Sequence, residues 1–301
     1  MAGVAPEQID VEVAGGRLRV ARFGSDGEVV LGLHGITGSS MQLVPVARRL
    51  PAGWSVVAPD LRGRGASNHL PGPYGMEAHA EDCAAVLSAV SEGPVVVLGE
   101  SMGAYVAVVL AARHPEVVAR LVLADGGIPL PVPPGLDPDV VLEAVLGPAL
   151  ARLDQVFPSR SAYLEFWRAH PAVSKAWGPE VEAYLDYDLE AVEGGFRSRA
   201  RPEPVRADGR EHIVDPTLVA DSLRRVRCPV TLVRAERDLL DQPTPLISDE
   251  ALAPWRTRLP GLSDTVVGGA NHYSLMLGDE GAGRIAAAVT GRDPGPPGPA
   301  R

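Results

Sequence analysis

Three kinds of side chain that together can activate a hydroxyl group follow one another in this sequence in the order serine, aspartate, histidine. Ser101 lies in the pentapeptide GESMG (residues 99–103), between an apolar run that predicts a strand and a run of small residues that predicts a helix. A strand that turns this sharply into a helix needs glycine on both sides and exposes the serine hydroxyl. Because that hydroxyl is a weak nucleophile at neutral pH, it requires a base, and the base requires an orienting acid.

His272 is the predicted base. It lies in GGANHYS (residues 268–274), after the last predicted strand and before the last predicted helix. A loop in that position is at the carboxyl edge of a parallel sheet, within reach of a serine that follows a neighbouring strand. The alternative is a loop histidine that caps backbone groups or faces solvent. The order of the residues along the chain favours the base.

Three aspartates are candidates for the acid. Asp238 ends the segment VRAERD after a strand predicted over residues 230–233, and it is the preferred candidate. Asp125 follows the strand predicted over residues 121–123, one strand nearer the nucleophile, and is the first alternative; Asp241 is the second. A carboxylate at either strand end could meet the imidazole of His272.

The segment HGITG (residues 34–38) follows the strand predicted over residues 29–33. Its glycines let the backbone turn and leave N–H groups unshielded, as an oxyanion hole requires. The predicted donors are the N–H groups of Ile36 and of Met102, the residue after the nucleophile. His34 is interpreted as a hydrogen-bonding strut, and a plain tight turn is the alternative reading of the segment.

Apolar periodicity predicts an α/β protein with a doubly wound, mostly parallel sheet. A hairpin is expected over residues 11–13 and 18–23, and helices over residues 41–50, 76–90, 104–113, 248–258 and 281–289. Between residues 128 and 222 the pattern changes: helices are expected over residues 137–157, 159–170 and 179–192, no strand is evident, and residues 194–210 are expected to form a rim or a solvated loop. We therefore divide the chain into a core (residues 1–127 and 223–291), a helical insertion (residues 128–222) and a disordered tail (residues 292–301).

The segments HGITG, DLRGRGAS (residues 60–67), GESMG, VRAERD and GGANHY together resemble the α/β-hydrolase superfamily, in its branch with a cap domain. That branch contains serine esterases, lactonases, C–C bond hydrolases and cofactor-free perhydrolases. The resemblance implies the α/β-hydrolase fold, a triad of Ser101, Asp238 and His272, and a cap that covers the pocket. Two positions depart from the usual pattern: Glu100 stands where a histidine is common, and Ala235 where a glycine is common.

The resemblance implies a serine hydrolase that cleaves a carboxylic ester, or a lactone or thioester, through an acyl-enzyme. The alternatives are a C–C bond hydrolase or perhydrolase and, in another class, a receptor-like protein that binds a ligand with little or no turnover. Asp60 and Arg62 are interpreted as structural residues. The candidates to line the pocket are the aromatic residues of the insertion, namely Phe157, Tyr163, Phe166, Trp167, Trp177, Tyr184 and Tyr187.

The composition excludes several other classes. A net charge of −10 over 301 residues, with no basic stripe, argues against nucleic-acid binding. Residues 1–10 have neither the apolar run of a signal peptide nor that of a membrane anchor, so we expect a cytoplasmic protein without a membrane partner. The two cysteines, Cys83 and Cys228, have no metal-ligand spacing and are expected to be reduced, and the chemistry needs no cofactor. The sequence has no marker of an oligomer interface.

Overall fold

A computed structural model describes residues 6–24, 27–131, 137–215, 217–259 and 261–292. Its main feature is one sheet of eight strands. They are β1 Glu7–Val13, β2 Gly16–Gly24, β3 Glu28–Leu33, β4 Trp54–Pro59, β5 Val95–Glu100, β6 Val118–Ala124, β9 Val230–Arg237 and β10 Leu262–Asn271. Their order across the sheet is β1-β2-β4-β3-β5-β6-β9-β10. β1 and β2 form the predicted antiparallel hairpin, β2 is antiparallel to β4, and the neighbours from β4 to β10 are parallel.

The central strands are apolar on both faces because helices cover both. In β3, Leu31 packs into the cluster on one face while its neighbour Val30 packs into the cluster on the other. Val97 and Leu98 of β5 divide in the same way. Successive side chains of a strand point to opposite faces, so a continuous apolar run is the pattern that a doubly covered parallel strand requires.

The helices of the core lie on these two faces. The helices of the whole chain are α1 Val44–Ala47, α2 Met76–Val90, α3 Met102–Arg113, α4 Pro138–Leu153, α5 Arg160–Arg168, α6 Pro171–Ser174, α7 Pro179–Asp188, α8 Pro202–Gly209, α9 Thr217–Arg225, α10 Asp249–Arg258, α11 Ser274–Leu277 and α12 Asp279–Thr290. The buried residues of α2, α3 and α9 belong to one cluster, and those of α1, α11 and α12 belong to the other. The helix predicted over residues 41–50 is shorter than expected: a 3₁₀ turn at Ser40–Leu43 precedes α1.

The segment between β6 and β9 is mostly helical, but the expectation that it holds no strand is wrong. Leu189–Val192 (β7) and Gly195–Ser198 (β8) pair as an antiparallel hairpin. The turn between them requires Gly194, whose φ is +85°, a conformation that side chains with a Cβ seldom adopt. The helix predicted over residues 179–192 accordingly ends at Asp188, and residues 194–210 form β8 and α8 rather than a loop.

Two smaller expectations concern the tail and the cysteines. Of the predicted tail, residues 293–301 lie outside the described residues. Cys83 is buried and Cys228 is half-buried, and both are free thiols. In the described ranges, no helix combines the length and the apolar character needed to cross a bilayer.

The parallel strands bring the predicted chemical residues to one edge of the sheet. Each of these residues comes directly after the last residue of a strand: His34 after β3, Ser101 after β5, Asp125 after β6, Asp238 after β9 and His272 after β10. The strand order reverses between β3 and β5, and the crevice at such a switch point is where α/β sheets bind ligands. The fold therefore places a site at the carboxyl edge of the central strands.

Candidate active site

Ser101 occupies a strained turn between β5 and α3. Its φ is +51° and its ψ is −119°, outside the regions that residues with a Cβ favour. The turn is possible because a Cβ on Gly99 would lie 2.3 Å from the carbonyl oxygen of Gly103, and one on Gly103 would lie 2.3 Å from that of Leu33. The two glycines of GESMG thus allow backbone contacts that hold the serine at the end of the strand.

The structure brings His272 and Asp125 together. Nδ1 of His272 lies 2.7 Å from Oδ2 of Asp125, and both side chains are buried. The other carboxylate oxygen of Asp125 accepts a hydrogen bond of 3.2 Å from the N–H of Ala235. Asp125 has a φ of +46°, and its own N–H donates to the carbonyl of Val233 at 2.9 Å. Contacts to β9 therefore fix a carboxylate that orients the imidazole ring.

The preferred acid of the sequence analysis, Asp238, does not make this contact. Its Oδ1 instead accepts hydrogen bonds from the N–H groups of Leu240 (2.9 Å) and Gln242 (2.8 Å), so the carboxylate caps its own turn. Only the main chain of Asp238 approaches the histidine, with its carbonyl 3.5 Å from the N–H of His272. The geometry therefore favours Asp125 over Asp238 as the residue that orients His272.

The register of the strands explains why Asp125, and not Asp238, contacts the imidazole of His272. β9 pairs with β6 as far as Ala124 opposite Val233 and then continues for four more residues, to Arg237. Asp125 stands at the end of the shorter strand, where its carboxylate reaches Nδ1 of His272, whereas Asp238 stands at the level of the His272 main chain. The second alternative, Asp241, is occupied by ion pairs with Lys175 and Arg237.

A second carboxyl group, Glu100, faces the other side of the imidazole. Its Oε1 lies 3.4 Å from Nε2 of His272, and its Oε2 accepts a hydrogen bond of 3.1 Å from Nε2 of Gln42. The sequence marked Glu100 only as a departure from the family pattern at the position before the serine. The side chain is 2% exposed, so its charge is poorly screened and acts directly on the histidine.

The two carboxyl groups and the imidazole shift one another's ionisation. Burial raises the pKa of Glu100 to about 7, although the nearby His272 opposes the shift. Burial by itself would lower the pKa of His272, but the hydrogen bond that the imidazole donates to Asp125 and the charges of Glu100 and Asp125 outweigh it, and the net pKa is raised. The site therefore holds two coupled groups whose pKa values are both raised, and Glu100 changes its charge near neutral pH.

The histidine of HGITG holds this loop in place through contacts of both its ring nitrogens. Nδ1 of His34 lies 2.8 Å from the carbonyl of Gly35, and Nε2 accepts a hydrogen bond of 3.0 Å from the N–H of Leu61. Burial lowers the pKa of His34 to about 3, so the ring is neutral. The prediction that His34 is a strut is confirmed. The N–H of Gly35 donates to Oε1 of Gln42 at 3.1 Å, which ties the loop to the side chain that also contacts Glu100.

A cavity of about 160 Å³ joins these groups. Ile36, Glu100, Ser101 and His272 line one side of it, and residues of α4, α5 and α7 line the other. Of the aromatic residues expected to line the pocket, Phe166, Trp167 and Tyr184 do so. The remaining four pack or bond elsewhere: the rings of Phe157 and Tyr163 meet edge to face, Tyr187 donates to Asp60, and Trp177 donates to Glu182.

Asp60 and Arg62 have structural contacts, as expected, but they do not pair with each other. Asp60 accepts from the N–H groups of Ser40 and Ala66 at 2.8 Å each. Arg62 forms a buried, bidentate pair with Asp82 at 2.7 and 2.8 Å. Across the part of the chain that the structure describes, no cluster of three or more histidine, cysteine or carboxylate side chains is arranged to hold a metal ion.

Comparison with known proteins places the chain in a family. A family model described as the alpha/beta hydrolase fold matches residues 28–279. The chain is 30% identical to a 2-(acetamidomethylene)succinate hydrolase of Mesorhizobium japonicum over 85% of both chains. It is 36% identical to lipase LipV of Mycobacterium tuberculosis over 59% of this chain and 64% of that protein. The crystal structure of an E-2-(acetamidomethylene)succinate hydrolase superposes with a TM-score of 0.77 at 24% identity, over 95% of this chain and 99% of that one. With its eight-stranded sheet and strand-end site residues, the chain therefore belongs to the α/β-hydrolase fold family and is a hydrolase.

Proposed function

We propose that this hydrolase cleaves a carboxylic ester, or a related lactone or thioester, through an acyl-enzyme formed on Ser101. The observation that carries the proposal is the buried contact of 2.7 Å between His272 and Asp125, in a cavity that Ser101 also lines. A nucleophile on an elbow, a base and an acid that fixes the base are the parts that serine acyl transfer needs. Asp125 takes the role of acid in this proposal, in place of Asp238.

The reaction divides into two acyl transfers. The Oγ of Ser101 adds to the substrate carbonyl while its proton passes to Nε2 of His272, and the carbonyl electron pair moves to the oxygen. The N–H groups of Ile36 and Met102 stabilise that oxyanion. Met102 is the first residue of α3, so its N–H has no acceptor within the helix and is available to the oxyanion.

Collapse of the tetrahedral adduct breaks the bond to the alcohol, which takes the proton from His272. A water molecule then gives a proton to His272, attacks the acyl carbon and releases Ser101 and the acid. Asp125 accepts the Nδ1–H of His272 throughout and stabilises the imidazolium that forms in each half. The steps balance without a metal ion or a redox partner.

Reaction with a fluorophosphonate probe and turnover of p-nitrophenyl acetate and butyrate test the proposal together. We expect the chain to be labelled at Ser101 and to hydrolyse both esters, and Ser101→Ala to lose both reactions. Ser91→Ala is the matched control, because Ser91 precedes β5 at the opposite edge of the sheet. A folded chain with neither labelling nor turnover would contradict the proposal and would favour the ligand-binding alternative.

Amides form a second candidate substrate class. It is favoured by the relative matched over 85% of the chain, whose name specifies hydrolysis of an acetamido compound. The same nucleophile, base and acid can expel an amine if His272 protonates the leaving nitrogen. Comparing p-nitroacetanilide with p-nitrophenyl acetate separates the two classes: kcat/KM for the anilide within about tenfold of that for the ester would make amides the better description.

A further inference from the structure

Arg64, the second arginine of DLRGRGAS, is fully buried behind the loop that carries Ile36. Its Nε donates a hydrogen bond of 2.9 Å to the main-chain carbonyl of Ile36. Its Nη2 lies 3.7 Å from Sδ of Met102. One guanidinium group therefore contacts both residues that supply the proposed oxyanion donors, although it does not line the cavity.

The contact with Ile36 restrains the donor on the other side of the same Cα. A carbonyl held by a charged donor fixes its own peptide plane, which joins Ile36 to Thr37. The N–H of Ile36 lies in the preceding plane, whose Gly35 carbonyl accepts a hydrogen bond of 3.0 Å from the N–H of Gly38 and lies 2.8 Å from Nδ1 of His34. With both planes held, the backbone at the Ile36 Cα cannot turn, and the N–H keeps its direction; loss of Arg64 releases one of the two planes. The contact with Met102 limits the movement of the first residue of α3. Oxyanion donors stabilise the developing charge only if they already point at it before the reaction.

The position of Arg64 depends in turn on a residue of α8. Nη1 of Arg64 is 2.5 Å from Oδ2 of Asp208, and both side chains are fully buried. Asp208 also accepts a 2.6 Å hydrogen bond from the N–H of Gly75 and lies 2.9 Å from Nε2 of His79. Although burial opposes ionisation, His79 and Arg64 hold the pKa of Asp208 well below its usual value. Asp208 is therefore a carboxylate that joins α8 to the core directly behind residues 34–38, which we call the oxyanion loop.

We infer that Arg64 is a positioning residue for the oxyanion hole and that Asp208 makes this positioning depend on how α8 is seated against the core. The inference rests on the proposed function, because it concerns an oxyanion formed from the substrate carbonyl. It assigns to α8, which supplies no residue that lines the cavity, an effect on the chemical step. Loss of Arg64 should then weaken binding of the oxyanion and leave binding of the neutral substrate almost unchanged.

A pair of ketone inhibitors separates these two effects. The Oγ of Ser101 adds to the carbonyl carbon of a trifluoromethyl ketone, its proton moves to His272, and the carbonyl electron pair becomes an oxyanion in the hole. The methyl ketone with the same alkyl chain is much less electrophilic and binds as the neutral carbonyl. We define the inhibitor ratio as the inhibition constant of the methyl ketone divided by that of the trifluoromethyl ketone. The ratio therefore measures how strongly the hole stabilises the oxyanion, and it does not depend on the amount of folded protein.

The variants are Arg64→Lys, Arg64→Met and Asp208→Asn, with Arg62→Lys as the matched control. Lysine at position 64 keeps the charge but lacks the Nε–H that binds the Ile36 carbonyl, and Asp208→Asn leaves Arg64 in place without its counter-charge. Arg62 belongs to the same loop and is also buried, but it bonds Asp82 and the carbonyls of Ala14 and Pro71 instead of the oxyanion loop.

Removing one oxyanion donor outright costs about 10²- to 10³-fold in rate, so misdirecting donors should cost about 10- to 100-fold. We expect Arg64→Lys and Arg64→Met to lower kcat on p-nitrophenyl butyrate and the inhibitor ratio by that factor, with KM within about threefold of wild type. Asp208→Asn should show a smaller loss of the same kind. Arg62→Lys should keep the ratio even if it melts at a lower temperature.

The inference is overturned if the ratio in folded Arg64→Lys and Asp208→Asn equals that of the wild type. It is also overturned if Arg62→Lys loses as much as Arg64→Lys, since the effect would then belong to any buried arginine of the loop. If circular dichroism shows that Arg64→Met does not fold, the variants Arg64→Lys and Asp208→Asn decide the question. A wild-type chain that forms no adduct with the trifluoromethyl ketone and hydrolyses no ester would contradict the proposed function itself, and the inference with it.

Discussion

At the scale of single residues, the site is an imidazole between two carboxyl groups of different character. Asp125 is fixed on Nδ1 at 2.7 Å, while Glu100 faces Nε2 at 3.4 Å. In the proposed mechanism Nε2 receives the serine proton, so a carboxylate beside it stabilises the imidazolium and also competes for its proton. The two carboxyl groups therefore have different expected effects, one on the size of the rate and one on its pH dependence.

Replacing the two candidate acids should give opposite results. Asp125→Asn removes the acceptor that fixes the imidazole tautomer, and comparable changes in serine triads lower kcat about 10⁴-fold. Asp238→Asn should stay within a few-fold of wild type, because the carboxylate of Asp238 bonds Leu240 and Gln242 rather than His272. Initial rates on p-nitrophenyl butyrate at pH 8 measure both variants. A larger loss in Asp238→Asn would restore Asp238 as the acid.

Glu100→Gln should move the acid limb of the pH–rate profile. His272 acts as a base only when neutral, so activity is lost as the pH falls through its pKa. Burial opposes the charge on His272, but the Asp125 hydrogen bond and the Glu100 charge raise its pKa above the usual value. Glutamine removes the Glu100 charge, which lowers the pKa of His272 and shifts the acid limb of kcat/KM to lower pH.

The control for this profile is Glu236→Gln. Glu236 is the second-last residue of β9, near the same edge of the sheet, but its side chain is exposed and accepts a hydrogen bond from the N–H of Gly269. Its replacement should leave the acid limb where it is. An acid limb that stays in place in Glu100→Gln, or moves to higher pH, would show that Glu100 does not act on the charge of His272.

At the scale of elements, the elbow between β5 and α3 depends on missing side chains. The backbone of α3 passes so close to β3 that a Cβ on Gly103 would lie 2.3 Å from the carbonyl oxygen of Leu33. Main-chain atoms of two packed elements cannot move apart without separating the helix from the sheet. The glycine after the serine is therefore required by packing as well as by the turn.

Gly103→Ala should lower the free energy of unfolding by about 1–3 kcal/mol and reduce the activity, since it overpacks the contact between α3 and β3. The control is Gly283→Ala in α12, where a Cβ would meet no atom within 4 Å. Alanine there should raise stability by about 0.5–1 kcal/mol because of its better helix propensity. Urea denaturation followed by circular dichroism measures both changes. Equal effects of the two substitutions would rule out a tight contact at Gly103.

At the scale of the whole molecule, a buried ion pair connects helices of the segment between β6 and β9 to one another. Nη1 of Arg152 in α4 lies 2.7 Å from Oδ2 of Asp188 at the end of α7, and the side chains are 1% and 4% exposed. Tyr163 of α5 donates to the same carboxylate, and the guanidinium of Arg152 lies 5.0 Å from the ring centroid of Trp167. Three helices around the pocket thus depend on one pair of charges.

Breaking that pair should destabilise the molecule far more than breaking an exposed one. Arg152→Met leaves Asp188 buried without its cation, which costs about 3–5 kcal/mol. Arg160→Met breaks an equally close pair with Asp186 whose side chains are 52% and 38% exposed, and this should cost less than about 1 kcal/mol. Thermal melts at pH 7.5 compare the two variants. A melting temperature that falls equally in both would mean that the Arg152 pair adds nothing by being buried.

The sequence by itself determined the parts of this protein that local patterns specify. The glycines around Ser101 need a tight turn, continuous apolar runs need a parallel sheet covered on both faces, and loops that follow such strands meet at one edge. The Ser101 elbow, the position of His272 and the strut role of His34 could therefore be predicted. Local periodicity did not reveal the β7–β8 hairpin, because its strands have only four residues each and lie outside the eight-stranded sheet.

Only the tertiary structure decided which acid meets His272 and where Glu100 and Arg64 point. Both Asp125 and Asp238 follow a strand, and the choice depends on β9 continuing four residues past its pairing with the end of β6. That offset is a relation between strands distant in sequence, so no local pattern records it. Arg62 and Arg64 likewise stand two residues apart in one motif, and packing alone directs one to Asp82 and the other to the carbonyl of Ile36. The sequence thus supplied the reacting groups, and the register and packing of the strands decided which of them act together.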